Sequence, residues 1–249
     1  MTDAFAILDY VRRHCLTPPA LAQAAGLTED RLRALIAARC LPGPTYVLDS
    51  SLQARSAIRS EALAPQPEEW FGAAVLPWAC RAAESTLPLP ALADRLRQDF
   101  AADFRQALLA SEGRVHGWTE LFDGAGAIDE AAFAKALDEI WESWLGAVYG
   151  ICLRRFDGPH LVTKLVERSR IRALTEEGAK PALTAAEAAE VTAAMARLDA
   201  VITPFAPHER PHGTPGLWID RIAERYGLPH PSAPSRDSAA PVDSAAAAA

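Results

Sequence analysis

Apolar residues recur every three or four positions along most of the chain, which is the pattern of amphipathic helices packed around a core. The clearest cases are residues 91–111, where every fourth residue from Leu92 to Leu108 is apolar, and residues 129–152. Further helices are predicted at 3–14, 17–26, 28–36, 160–177, 184–204 and 214–227. We therefore predict an all-α fold.

The segment 47–87 is the least regular part of the chain. A helix over 51–63 and another over 68–84 fit its composition, although Pro77 interrupts the second one. Residues 46–48 are the one candidate for a short extended piece, since no alternating pattern persists elsewhere.

The predicted elements group into three regions. Residues 1–48 form a three-helix unit that resembles a helix-turn-helix, and residues 49–227 form a bundle of about six helices. Residues 228–249 are a tail rich in Pro, Ser and Ala that we expect to be disordered. The first unit either packs on the bundle in one compact domain or is linked to it as a second domain, and the pattern leaves both open.

The composition is typical of a cytoplasmic globular protein. Half of the 249 residues are hydrophobic, which suffices for a large core. The formal net charge of −7 argues against nucleic-acid binding by the whole surface but leaves room for a local basic face. The four cysteines are scattered without a C-x-x-C pair, so we expect reduced thiols. No signal peptide and no membrane span are predicted.

Residues 21–32 have the sequence features of a helix-turn-helix. Ala22 is small enough for two helices to approach, Gly26 permits a left-handed turn, and Leu32 closes the pair. The spacing is more specific for this three-dimensional unit than for DNA binding.

A DNA-recognition helix also needs side chains that donate hydrogen bonds to bases and phosphates. The DNA-facing candidates in this unit are Arg31, Arg33 and Tyr46. Glu29 and Asp30 stand at the start of the same helix, so a unit used only for packing or protein contacts is the alternative.

Large aromatic residues lie close to glycines near the end of the second long helix. Trp141, Trp144 and Tyr149 are neighbours of Gly146 and Gly150. A glycine inside a helix costs about 1 kcal/mol, so two of them indicate close approach by another helix or by a ligand. The three aromatic residues are candidates for lining a ligand pocket, and a core helix of the bundle is the alternative.

Residues 208–212 read H-E-x-x-H, the signature of one class of zinc proteases. That motif needs a regular helix so that both histidines reach one zinc ion, and Pro211 inside it excludes such a helix. We therefore expect no metal site here. A stiff polar loop is still a good place for a binding site, so His208, Glu209 and Arg210 are pocket candidates, unless they only cap neighbouring helices.

His160 and Lys164 lie one helical turn apart just after Pro159. Such a pair at a helix start can hold an anion, although pairs of this kind are more common on an exposed helix face.

Three segments together resemble one known family: 21–46, 144–150 and 205–210. Over about residues 5–227 the chain is similar to an uncharacterised bacterial family associated with natural-product biosynthesis. The resemblance implies a biological setting, and it implies no reaction and no catalytic residues.

Two functions of different class are compatible with the sequence. The first is an accessory or biosynthetic protein of bacterial secondary metabolism that binds a small molecule or a partner protein in the helical body. There His208 can exchange protons near neutral pH and Arg210 can hold a carboxylate or phosphate. The alternative is a DNA-binding transcriptional regulator with an effector pocket, which needs Arg31, Arg33 and Tyr46 on one surface.

The sequence contains no P-loop, no dinucleotide-binding motif and no nucleophile motif. We therefore predict no cofactor. Whether the chain is an enzyme stays open, as does a purely structural role.

Overall fold

A computed structural model describes residues 4–49, 52–55, 57–58, 60–63 and 67–231. Residues 232–249, which make up most of the predicted tail, lie outside this range. Within the described residues the helices are α1 (Ala4–His14), α2 (Pro18–Ala24), α3 (Glu29–Ala37), α4 (Leu76–Glu84), α5 (Leu89–Leu109), α6 (Glu130–Leu145), α7 (Val148–Cys152), α8 (Gly158–Thr175), α9 (Ala185–Val201) and α10 (Arg221–Tyr226). The fold is therefore mostly helical, and none of the described helices is both long and apolar enough to cross a membrane.

The structure also contains strands, so the all-α prediction was too simple. Described strands are β1 (Cys15–Leu16), β2 (Tyr46–Leu48), β3 (Leu52–Arg55), β4 (Ser60–Leu63) and β5 (Glu68–Gly72). Strand β5 lies between β1 and β2 and is antiparallel to both, while β3 and β4 form a separate antiparallel pair.

The outcome for the irregular segment 47–87 is mixed. The extended piece predicted at 46–48 is confirmed as β2. The helix predicted over 51–63 is wrong, because β3 and β4 occupy this segment. The helix predicted over 68–84 begins only at Leu76, since its first five residues form β5. Strands this short leave no alternation to detect, because their pairing depends on partners elsewhere in the chain.

The helical body is built around the apolar stripe of α5. The five residues predicted to be buried at every fourth position, from Leu92 to Leu108, are all buried. They belong to one apolar cluster with residues of α6, α8 and α9, and this cluster also contains Leu21, Leu32 and Leu35 of α2 and α3. The division of the chain at residue 48 stays a prediction.

The second long helix, predicted as continuous over 129–152, is interrupted. Helix α6 ends at Leu145 with Gly146 as its C-cap, and Ala147 adopts a left-handed φ of 63° before α7 begins. The expected close approach is confirmed at Gly150, where an added Cβ would lie 2.5 Å from Thr45 Oγ1. The break lets the chain pass close to the N-terminal sheet at this point.

The last helix differs from the prediction in a similar way. It was predicted as one element over 214–227, but the residues Gly216–Asp220 form a wider π-helical turn before α10 begins. Two earlier helices, α6 and α9, begin with side-chain caps. Asp129 Oδ1 accepts two backbone N–H bonds at the start of α6, and Thr184 and Glu187 form the capping box of α9.

Candidate functional site

A cleft of about 430 Å³ opens between the C-terminal end of α5 and the facing sides of α8 and α9. We call it the α8–α9 cleft. Its volume lies within the range of about 300–1,000 Å³ that is typical of small-molecule sites. Four of the residues that line it are uncharged: Ala110, Ser111, Thr163 and Val166. The other five are charged: Glu112, Glu167, Arg170, Glu190 and Arg197.

One carboxylate in the wall of the cleft is buried. Glu167 of α8 is only 5% exposed. Arg197 of α9 donates from Nε to Oε1 at 2.8 Å and from Nη2 to Oε2 at 2.9 Å. A buried charge is stable only with partners of this kind, so this bidentate pair locks α8 against α9 at the cleft.

Arg170 lies at the centre of the same network. Its Nη1 donates to Glu190 Oε1 at 2.7 Å, and it forms an ion pair with Glu112. Its Nε lies 3.4 Å from Glu167 Oε2, close enough for an ion pair but without the alignment of a hydrogen bond. This Nε–H is buried and has no hydrogen-bond partner among the described residues, so Arg170 is held in the cleft wall mainly through its Nη atoms.

None of the six pocket residues predicted from the sequence lines this cleft. Its residues are charged positions on amphipathic helices, and such positions are usually solvent-exposed. The one hint in the sequence is that Glu167 and Arg170, like Glu190 and Arg197, are spaced to lie on one face of their helix. Nothing in the sequence indicates that the two faces meet.

The three predicted aromatic residues do come together, inside the core. The ring of Phe156 contacts all of them, with centroid distances of 4.2 Å to Trp144, 6.1 Å to Trp141 and 5.3 Å to Tyr149. Trp141 and Trp144 are buried. Tyr149 is half-buried, and burial raises its pKa to about 12. Tyr149 is therefore the most exposed of the three side chains.

The predicted polar loop forms a turn followed by a short 3₁₀ segment, Arg210–His212, so the expected absence of a regular helix at H-E-x-x-H is confirmed. Arg210 donates from Nε and Nη2 to Asp220 at 2.9 and 2.8 Å. His208 is exposed, with its Nε2 3.9 Å from Glu209 Oε1. Among the described residues, no hydrogen bond, ion pair or ring contact joins the loop candidates to the predicted aromatic ones.

Glu209 instead contacts a residue predicted to face DNA. Tyr46 donates its hydroxyl hydrogen to Glu209 Oε2 at 2.6 Å, and the ring of Tyr10 lies edge-on to that of Tyr46 at 6.0 Å. Buried Cys15 and Ala206 complete this cluster. We call it the Tyr46–Glu209 junction, because it joins the N-terminal region to the loop.

Three groups of the Tyr46–Glu209 junction, Cys15, Tyr10 and Tyr46, are held in their neutral forms by raised pKa values. Burial, reinforced by the negative charge of Glu209, raises the pKa of the Cys15 thiol to about 12. Burial is also the main reason why the pKa of Tyr10 rises to about 12. The pKa of Tyr46 is raised by burial and by its hydrogen bond to Glu209.

The other two DNA-facing candidates lie on α3. Arg33 is exposed and forms an ion pair with Glu69 of β5, while Arg31 is half-buried. The hydroxyl of Tyr46 is bound to Glu209, so Tyr46 does not present its polar group together with the two arginines. In the part of the chain that the structure describes, no group of three or more His, Cys, Asp or Glu residues is arranged to hold a metal ion.

A comparison with protein families gives one match. The family of unknown function DUF6058 matches residues 96–227, a range that contains the α8–α9 cleft and the polar loop. No curated protein and no solved structure matches the chain. Because the match covers more than half of the sequence, the chain belongs to the family of unknown function DUF6058.

Proposed function

We propose that this protein is an accessory protein of bacterial natural-product metabolism that binds a small polar molecule in its helical body. The observation that carries the proposal is the α8–α9 cleft, which lies within the range matched by the family. The natural-product setting is supported by the resemblance of residues 21–46, 144–150 and 205–210 to the uncharacterised bacterial family associated with natural-product biosynthesis.

The charges of the cleft favour a ligand with both an acidic and a basic group. Arg197 has a side chain that is 46% exposed and donates to Glu167 through Nε and Nη2. Among the described residues its Nη1 has no acceptor, and this group would donate to a ligand carboxylate. Glu112 and Glu190 lie at the rim with side chains that are 63% and 47% exposed. Each is paired with Arg170 through one carboxylate oxygen, and the other oxygen would accept from a ligand ammonium group without displacing Arg170. Three carboxylates and two guanidinium groups leave one negative charge in excess, which a free amino acid with a basic side chain would neutralise.

Ligand-observed NMR tests the proposal directly. Free amino acids are added to the purified protein, to an Ala110→Trp variant that fills the cleft, and to an Ala134→Trp control that places the same ring on the exposed face of α6. We expect saturation transfer to at least one amino acid from the wild type and from the control, and a loss of transfer with Ala110→Trp. An absence of transfer from the wild type, or equal transfer from all three proteins, would contradict the proposal.

The sequence-based version of this function places the ligand at His208 and Arg210. In that version a ligand acid would have to replace Asp220, which already accepts two hydrogen bonds from Arg210. A double variant, His208→Ala with Arg210→Ala, decides between the two places. Loss of amino-acid binding in the folded double variant would move the site to the loop, whereas unchanged binding leaves it in the cleft.

The alternative function is a helix-turn-helix regulator of transcription. It is supported by the positive φ of Gly26 between α2 and α3, and by the exposure of Arg33. The charges weigh against it, because Arg33 is paired with Glu69 and Arg39 with Glu142. A DNA-facing helix with paired arginines attracts phosphates only weakly.

Fluorescence anisotropy with labelled DNA from upstream of the gene tests this alternative at several salt concentrations. A regulator should bind tightly, resist random competitor DNA and show a steep salt dependence. An Arg31→Ala/Arg33→Ala variant should then lose binding, while an Arg95→Ala variant on α5 should keep it. No binding at low salt would exclude the regulator.

A further inference from the structure

A second face of α8 carries four basic residues at intervals of four. His160, Lys164, Arg168 and Arg172 stand one helical turn apart from each other, so their side chains share one face of the helix. We call it the α8 basic face. Thr163, Val166 and Arg170 of the α8–α9 cleft lie on the other side of the helix, and Glu167, one turn after Lys164, is bound to Arg197 of α9. An inference about the α8 basic face therefore does not rest on the function proposed for the cleft.

The two outer members of the α8 basic face have acidic partners. His160 Nδ1 lies 2.7 Å from Asp157 Oδ1. Arg172 forms an ion pair with Glu177, and its guanidinium lies 5.8 Å from the ring centroid of Trp218. The polar groups at both ends of the face are therefore already engaged by partners within the chain.

Lys164, in the middle of the face, is not compensated. It is only 7% exposed. Its Nζ lies 5.9 Å from the centroid of the Tyr149 ring, which is a cation–π contact. Within the described part of the chain, no carboxylate or carbonyl accepts a hydrogen bond from its ammonium group. The side chain is packed against protein along most of its length, but its Nζ is not among the unpartnered polar atoms that are sealed from solvent. An ammonium group that is held in place, reachable from outside and without an anion beside it indicates a site whose anion comes from outside.

Arg168 repeats this arrangement one turn further along. It is half-buried, and among the described residues it has no ion pair and no hydrogen bond. The titratable groups close enough to affect its ionisation are Arg172, Tyr149 and Cys152, none of which is a carboxylate. Two neighbouring cations thus share the same lack of an acidic partner.

Tyr149 adds a third donor to this pair. Because burial raises its pKa to about 12, the phenol is neutral near pH 7 and can donate its hydrogen. No described residue accepts that hydrogen. The ring also stacks on Phe156 at 5.3 Å, which anchors the phenol to the aromatic core.

We propose that Lys164, Arg168 and Tyr149 form a binding site for the phosphate group of a small phosphate monoester. The two unpaired cations match the charge of about −2 that such a group carries near neutral pH. The planar guanidinium of Arg168 suits two phosphate oxygens, and the ammonium of Lys164 and the hydroxyl of Tyr149 supply further donors. A carboxylate would neutralise only one of the two cations.

Calorimetric titration of the full chain with phenyl phosphate and with inorganic phosphate, against chloride at equal ionic strength, tests the site. We expect saturable binding to the wild type. For Lys164→Met and for Arg168→Gln we expect the affinity to fall by about tenfold or more. Lys135→Met, which removes an exposed lysine of α6, is the matched control and should bind like the wild type. Tighter binding of phenyl phosphate than of inorganic phosphate identifies an ester as the ligand, and equal binding identifies free phosphate.

Thermal unfolding without phosphate separates a ligand site from a structural lysine. Methionine replaces an uncompensated charge by an apolar chain of similar length, so Lys164→Met should unfold at the same or a higher temperature than the wild type. If that variant fails to fold, the half-exposed Arg168→Gln decides. No saturable binding of either probe to the wild type, or wild-type affinity in Arg168→Gln, would overturn the proposal.

Discussion

Raising the pH should destabilise this protein at the Tyr46–Glu209 junction. In the folded chain the pKa of Cys15 rises from its ordinary 9.0 to about 12, and that of Tyr10 from 10.0 to about 12. In the unfolded chain both groups ionise at their ordinary values. Their contribution to stability is therefore fully present below about pH 9 and is lost as the pH rises towards the folded values.

The size of the loss follows from these pKa values. At about pH 11 the ionisation of Cys15 lowers the free energy of unfolding by about 3 kcal/mol, and that of Tyr10 lowers it by about 1 kcal/mol. Both side chains are less than a tenth exposed, so solvent screening reduces these figures little. Tyr46, whose pKa is raised as well, adds to the loss. Together these losses are a large part of the free energy of unfolding of a folded domain, which is about 5–15 kcal/mol.

Urea unfolding of the reduced protein, followed by circular dichroism between about pH 8 and pH 11, measures this effect. Cys15→Ala and Tyr10→Phe remove one ionising group each. Each substitution also removes contacts, but this loss is the same at every pH. The ionisation is therefore reported only by the slope of the free energy of unfolding against pH. We expect flatter slopes than in the wild type, with the larger change for Cys15→Ala. Parallel curves for all three proteins would refute the reasoning.

Three further changes test the packing of the helical body. Arg197→Met should lower the free energy of unfolding measured in urea by about 2 kcal/mol, because Glu167 loses two hydrogen bonds and keeps only Arg170 beside it. Adding Glu167→Met to this variant should recover most of the loss, since no buried carboxylate is then left. Gly72→Ala would place a Cβ 2.5 Å from the Gly150 carbonyl oxygen, so we expect a loss of about 1–3 kcal/mol and a lower melting temperature; an unchanged one would contradict this contact. Thr184→Ala removes the capping box of α9 and should cost about 1 kcal/mol, while Thr184→Asp, measured in the same way, should cost little.

The helices could be predicted because their signals are local and repeated. The stripe of α5 runs through five turns from Leu92 to Leu108, and Asp129 and Thr184 cap their helices within three residues. The sheet could not be predicted in this way. Strand β1 has two residues, and its partner Gly72 lies far along the chain from Cys15. Pairing over such distances leaves no periodic pattern in the sequence.

The candidate sites show the same limit. The spacing of His160 and Lys164 indicated a place for an anion, but the burial of Lys164 depends on Tyr149 and on the break after Gly146. A charged residue on an amphipathic helix is normally solvent-exposed, so the sequence gives no reason to expect a lysine side chain that is mostly buried. The meeting of Glu167 with Arg197 likewise depends on how α8 crosses α9.

The energetics of binding separate the conspicuous polar loop from the inconspicuous face of α8. A ligand that recruits Arg210 must first take it from Asp220, and one that recruits Glu209 must take it from Tyr46. Hydrogen bonds to charged groups contribute about 1.5–3 kcal/mol each, so such a ligand exchanges bonds and gains little. At Lys164 no described acceptor has to be displaced, and every bond formed by an incoming anion adds to its affinity. For an anionic ligand, the net gain is therefore greater at the α8 basic face than at the loop that first attracts attention in the sequence.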